Sequence, residues 1–247
     1  MAESNNHFDL LPVEVIEIIF GFLPDIASLR AAAITSKRLL AVTRGAKTML
    51  ITQVVVNHIS PELMPEAWLA LESERLRPNS IEQVDQFAET HFRNREANSR
   101  LITLAEGMAM ERRHAAVEYF TAKCSNDAQQ YLPFLGKLSE EHYGRSFPEY
   151  KTNLVADMTK TEHDRFARAF YLIEVCYKLL GFIYTPLLYG QDYGANGSSF
   201  LPMAKKSFTG WFSHSELEQM AVAHGYLYGL IETICEYQVS LVYHQCH

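Results

Sequence analysis

Cysteine is scarce in this chain of 247 residues: Cys124, Cys176, Cys235 and Cys246 stand far apart, with no CxxC pair. That spacing excludes a dense disulfide framework and makes free thiols in a reducing compartment the simpler reading. Basic charge is also in short supply. Lys and Arg number 22 against 29 Asp and Glu, and a formal charge of −7 argues against a surface that neutralises phosphates, so no nucleic-acid partner is expected. Long uninterrupted apolar runs are missing as well. The most apolar stretch, Phe166 to Tyr184, is broken by Arg168, Glu174 and Lys178, charges too costly in hydrocarbon for a membrane span. Met1 to Asp9 is polar and acidic, without the basic start and apolar stretch of a secretory signal, which points to the cytosol or the nucleus.

Catalytic signatures are wanting too. There is no GxSxG elbow, and the glycines between Gly190 and Ser199 lack the Lys-Ser or Lys-Thr ending of a phosphate-binding loop. His244, Cys246 and His247 lie together near the end of the chain without a second cluster at metal-ligand spacing. No catalytic residue, metal or cofactor is therefore expected. Glu111-Arg112-Arg113 and Lys205-Lys206 read as solvated surface, and the aromatics from Phe170 to Tyr189 and from Trp211 to Tyr243 read as core.

What the chain does have is apolar residues at helical spacing, 48% of the total, enough for one large domain or two small ones. Val15, Ile16, Ile19, Phe20, Phe22 and Leu23 predict a helix from Pro12 to Leu23, with Pro12 in its first turn and Pro24 stopping it. Asp25 is placed to cap a second helix carrying Leu29 and Ala31 to Ala33, and Ser36 to cap a third. Lys37 to Ile59 is mostly helical in pattern, although the β-branched run Val54 to Val56 leaves a short strand open. Pro61, Pro65 and Pro78 suggest short helices around Trp68 and Leu71 and a joint between two units.

Ser80 with Gln83 forms a capping box ahead of Ile81, Val84, Phe87, Ala88 and Phe92. A long helix is expected from Ser99 to Lys123, with Ser125-Asn126-Asp127 ending it or starting another. Thr161 with Asp164 caps a central helix that runs to Pro186, and Leu187 to Gly210 reads as an irregular connection. Ser213 with Glu216 opens a last helix that reaches His247 without a stop signal, from which a chain incomplete at its C-terminus is expected.

The run from Leu11 to Asp25, LPVEVIEIIFGFLPD, continued through Leu29 and Ser36-Lys37-Arg38-Leu39, resembles the opening of an F-box. Two body segments, Thr161 to Tyr171 and Ser215 to Gln219, look similar to segments in the helical bodies of fungal F-box proteins. The late Cys and Trp common in the family are replaced here by Ile34 to Leu39. The resemblance implies an all-α chain: a three-helix F-box over residues 8–50, linking helices over 51–79, and an irregular helical, target-recruiting body over 80–247. It also implies a Skp-type adaptor, a cullin scaffold reached through it, and a target protein as partners. Leu11, Pro12, Val15, Ile16, Ile19, Leu23 and Leu29 are then the adaptor-docking candidates. The alternative is a helical interaction or ligand-binding protein acting outside ubiquitination. Physics favours a partner at the N-terminus, since about 40 residues rarely bury their own apolar surface.

Overall fold

Helix α1 (Val13–Gly21) begins where the carbonyl of Pro12 accepts the N–H groups of Val15 and Ile16, so Pro12 is the residue before the first turn rather than within it. Helix α2 (Ile26–Ala33) is capped by Asp25, whose carboxylate accepts the Ser28 N–H at 2.6 Å. Ser36 caps α3 (Lys37–Gly45) through the Leu39 N–H. The structure is a computed structural model. It describes residues 10–76, 78, 80–92, 100–143, 158–188 and 210–245, and side chains within them except at 81, 128–143, 181–188 and 232–245. Every regular element among the described residues is helical, in agreement with the all-α expectation.

The stretch expected to be helical from Lys37 to Ile59 is divided. Helix α4 (Lys47–His58) leaves α3 at 86°, with Ala46 closing one helix through the carbonyl of Val42 and opening the next by accepting the Leu50 N–H. Val54 to Val56 are helical, not a strand: Val54 and Val55 are fully buried, and that packing outweighs the modest helix penalty of branched side chains.

In place of short helices around Trp68 and Leu71 there is α5 (Met64–Arg75), started by Pro65. Glu66 to Leu71 are all buried, and so is Ser73; a helix covered on every side is a core helix. Two more helices are α6 (Ile81–His91), where the Gln83 N–H meets Ser80 Oγ at 3.4 Å, and α7 (Leu104–Tyr143). The latter continues through Ser125-Asn126-Asp127 without a break. Its start was not foreseen: Thr103 and Glu106 form a reciprocal capping box, with the Thr103 N–H donating to Glu106 at 2.8 Å.

Helix α8 (Lys160–Leu188) is boxed by Thr159 and Glu162 rather than by Thr161 and Asp164, the Thr159 N–H donating to Glu162 at 2.9 Å. It also runs past Pro186. Helix α9 (His214–Gln245) has the expected box, Ser213 N–H to Glu216 at 2.8 Å. Most of the connection read as irregular, residues 189–209, lies outside the described residues, as do Cys246 and His247.

The chain forms two contact-defined units. The first is Met1–Arg77 with Gln86–Ala116, the second Pro78–Asp85 with Val117–His247. The expected body beginning at residue 80 is thus shared between them. In the first unit, α1 packs on α3 and α4, and α2 on the same pair. Ile16, Phe20, Ile26, Leu29, Leu39, Leu50, Ile51, Val54 and Val55 supply its core. Gly107 lets α7 approach closely: a Cβ there would stand 2.7 Å from Ile26 Cδ1 and 2.9 Å from Ile51 Cγ2. Gly107→Val should therefore overpack the unit and destabilise it by about 1–3 kcal/mol, read as a lowered urea midpoint. In the second unit α8 packs on α9; Ala167, Tyr171, Leu172 and Val175 are buried on the first helix, and Met220 and Ala223 on the second. Phe120 meets Phe170 at 6.0 Å, and Tyr226 donates to Asp127 at 2.6 Å.

Candidate docking surface

Apart from Glu14 and Glu17, α1 consists of aliphatic residues, Phe20 and a terminal glycine. A helix apolar nearly all round is normally buried all round; α1 is not. Ile16 and Phe20, one turn apart, are 1% and 3% exposed and enter the core of the first unit. At 100° per residue, Val15, Ile18, Ile19 and Phe22 share a different stripe, spaced i, i+3, i+4 and i+7. Those residues are 37%, 56%, 38% and 73% exposed.

Local hydrogen bonds hold α1 in this orientation. Arg38 donates to the carbonyl of Leu11, ahead of the helix. At its far end Asn57 of α4 donates to the carbonyl of Gly21 at 2.6 Å. Gly21 is in close packing with Gln53, whose side chain occupies the space a Cβ would need. The following helix is fixed by two carboxylates. Hydrogen bonds from Ser28 hold the carboxyl of Asp25 below its ordinary value. Glu111 of α7 accepts the Ile26 N–H at 2.7 Å, and burial pushes its carboxyl above the ordinary value.

The residues assigned to docking from sequence therefore separate. Pro12, Val15 and Ile19 are exposed, and Leu11 and Leu23 are half-buried. Ile16 and Leu29 are not available: they are 1% and 2% exposed, because α3 and α4 cover the inner faces of α1 and α2. Sequence reasoning missed Ile18 and Phe22, the most exposed members of the stripe, and also Leu10, Val13 and Ile34 on the same unit. The spacing of Val15, Ile18, Ile19 and Phe22 was there to be read. Two apolar stripes on one short helix, however, do not say which of them faces inward.

Among the described residues no group of three or more His, Cys, Asp or Glu is placed to hold a metal ion. Cys124 is buried, and burial raises its thiol above the ordinary value, the opposite of what a nucleophile needs. No single described helix is long and apolar enough to cross a membrane; α3 and α4 pass that test only as a pair, bent by 86°.

The fold and the surface define a class: an all-helical chain that presents an uncovered apolar helix face. No protein-family model, curated protein or solved structure matches the chain.

Proposed function

We propose that the chain is an F-box substrate receptor, which docks on a Skp-type adaptor through α1 and brings a target protein to a cullin-based ubiquitin ligase. The observation that carries this reading is the second apolar stripe of α1, Val15, Ile18, Ile19 and Phe22, left uncovered in the same segment that resembles an F-box opening. Contiguous exposed apolar patches mark interaction sites more often than scattered exposed apolar residues do.

The docking surface in this reading is Leu11, Pro12, Val15, Ile19 and Leu23 with Ile18 and Phe22 added, while Ile16 and Leu29 build the scaffold beneath it. The mechanism is proximity: a target held near a charged ubiquitin-conjugating enzyme reacts as if at high local concentration, and no bond chemistry is required of this chain.

Co-expression of the chain with a Skp-type adaptor, followed by pull-down and calorimetry, tests the proposal. Full burial of a large apolar side chain contributes roughly 1.5–3 kcal/mol, so Ile18→Asp with Phe22→Asp should weaken docking by at least about 100-fold. The doubly substituted chain should keep its helical circular dichroism, because both positions are exposed. A native chain that does not bind the adaptor, or a variant that binds equally well, would overturn the reading. Ubiquitination of a co-purifying target then separates a ligase receptor from a protein that uses the adaptor otherwise.

A further inference from the structure

From Ile26 to Pro61 the sequence contains no Asp or Glu, although acids outnumber bases in the whole chain, 29 to 22. The same stretch holds Arg30, Lys37, Arg38, Arg44 and Lys47. Arg38 is spent inside the fold, on the carbonyl of Leu11. The other four are exposed, and among the described residues none of their side chains makes an ion pair or a hydrogen bond. The acids that border this stretch are engaged or stand elsewhere. Asp25 accepts the Ser28 N–H at 2.6 Å and Glu111 the Ile26 N–H at 2.7 Å. Glu14 and Glu17 belong to α1, and Glu62 lies beyond the far end of α4, a helix of 12 residues that begins at Lys47.

Helical geometry gathers these cations. At 100° per residue Lys37, Ala41 and Arg44 share one exposed stripe of α3, turned away from buried Leu39 and Val42. Lys37 and Arg44 stand about 10 Å apart along the helix, at 1.5 Å per residue, and Lys47 follows at the start of α4. On α2, which packs on α3, Arg30 shares the exposed stripe with Ala27, Ala31 and Ile34. Small residues separate the charges: Ala27, Ala31, Ala41, and Gly45, where a Cβ would meet nothing within 4 Å. A partner's backbone can therefore come close enough for its side chains to reach the cations.

We infer that the exposed stripes of α2 and α3, with Lys47, dock an acidic segment of a partner protein, one carrying several Asp or Glu side chains in an extended run. Charge complementarity selects this occupant: four cations without internal carboxylates, on a chain whose net charge of −7 repels acidic segments elsewhere. The stretch from Ile26 to Pro61 has no Phe, Tyr or Trp on which nucleic-acid bases could stack. Ile34, 76% exposed, is the one large exposed apolar side chain on the two stripes, too little to anchor them in a bilayer. The inference does not rest on adaptor docking, which uses the apolar stripe of α1.

Fluorescence anisotropy with the full chain tests it, using labelled hexaglutamate, the neutral peptide Gly-Ser-Gly-Ser-Gly-Ser and hexathymidylate, with co-sedimentation on phosphatidylserine vesicles alongside. In about 50 mM salt hexaglutamate should bind at least about 10-fold more tightly than the other two probes, and binding should weaken about 10-fold in about 300 mM salt, because exposed charges are screened. Lys37→Glu with Arg44→Glu should weaken hexaglutamate binding at least about 10-fold with circular dichroism unchanged. Arg112→Glu with Arg165→Glu alters net charge equally at exposed positions outside the two stripes, and should change binding less than about 2-fold. If the Lys37 and Arg44 variant does not fold, Arg30→Gln with Lys47→Gln should weaken binding by about 3-fold or more. No binding of hexaglutamate at millimolar concentration, equal losses in the inside and outside variants, or tighter binding of hexathymidylate or vesicles would overturn the inference.

Discussion

Ile16→Asp should unfold the first unit, whereas Ile18→Asp, two positions along the same helix, should leave its stability within about 0.5 kcal/mol of the native value. Ile16 is 1% exposed and Ile18 is 56% exposed. Removing a buried Ile side chain typically costs about 2–5 kcal/mol, and a carboxylate forced into the vacated space adds a desolvation penalty of several kcal/mol, or neutralises itself. The sum is comparable with the whole stability of a domain, about 5–15 kcal/mol. Urea titrations of the two variants followed by circular dichroism check the contrast. The same contrast governs any binding assay on α1: loss of adaptor binding in Ile16→Asp reports unfolding, and only substitutions at Ile18, Ile19 or Phe22 report contact. Equal stability of the two variants would mean that the inner stripe of α1 is not where the structure puts it.

Glu106→Gln should give the next largest loss, and with it a change in acid sensitivity. The Glu106 side chain is 9% exposed and accepts Arg100 at 2.8 Å, the Thr103 N–H at 2.8 Å, the Thr103 hydroxyl at 2.9 Å, and Arg75. Arg100 also reaches Glu72 at 2.8 Å and lies over the ring of buried Trp68, 4.5 Å from its centroid. Breaking a buried charge network costs about 3–5 kcal/mol, but Arg100 and Arg75 are 41% and 52% exposed, so solvent screening reduces the expectation to about 2–3 kcal/mol.

The hydrogen bond from Arg100 holds the carboxyl of Glu106 far below its ordinary value of 4.5, against the opposing effect of burial. A carboxyl lowered in the folded state contributes stability that is present above its unfolded value and drains away as pH falls toward the folded one. The native chain should therefore lose stability progressively below about pH 4.5, and the fall should be shallower in Glu106→Gln, as measured by urea midpoints at pH 7 and pH 3. A variant whose midpoint falls as steeply with acid as that of the native chain would show that Glu106 is not the titrating group.

The helical pattern was legible because it is a local property. Asp25 and Ser36 cap their helices as the sequence implied, and so does Ser213 with Glu216, since a cap needs only residues within one turn of one another. The misplaced box on α8 shows the limit of that reading. Thr159–Glu162 and Thr161–Asp164 both carry a hydroxyl followed by an acid three positions on, and the chain enters its helix at the earlier pair. Thr103–Glu106 is an equally local pair, but an apolar pattern that extends back toward Ser99 hides the true start of its helix.

Burial was less legible than helicity. Met64 to Arg75 holds three acids and an arginine as well as Pro65, a composition that reads as surface or joint, yet Glu66 and Ser73 are buried with the apolar residues around Trp68. The long-range bonds around α1 and α2 were equally hidden. Glu111 reaches Ile26 across 85 positions and Asn57 reaches Gly21 across 36, and no local pattern announces either pair.

By itself the sequence determined that the chain is all-α, where several of its helices begin, and that α1 is too apolar to serve as an ordinary surface helix. Those outcomes follow from side-chain periodicity and from backbone groups that must be satisfied within a turn. Tertiary structure alone decided that α3 and α4 part at Ala46, that α5 is core, and that Ile16 and Leu29 lie beneath the proposed docking surface while Ile18 and Phe22 lie on it. The physical reason is that hydrophobicity makes a side chain avoid water without naming its neighbour, so which apolar stripe is covered is settled only when distant helices pack.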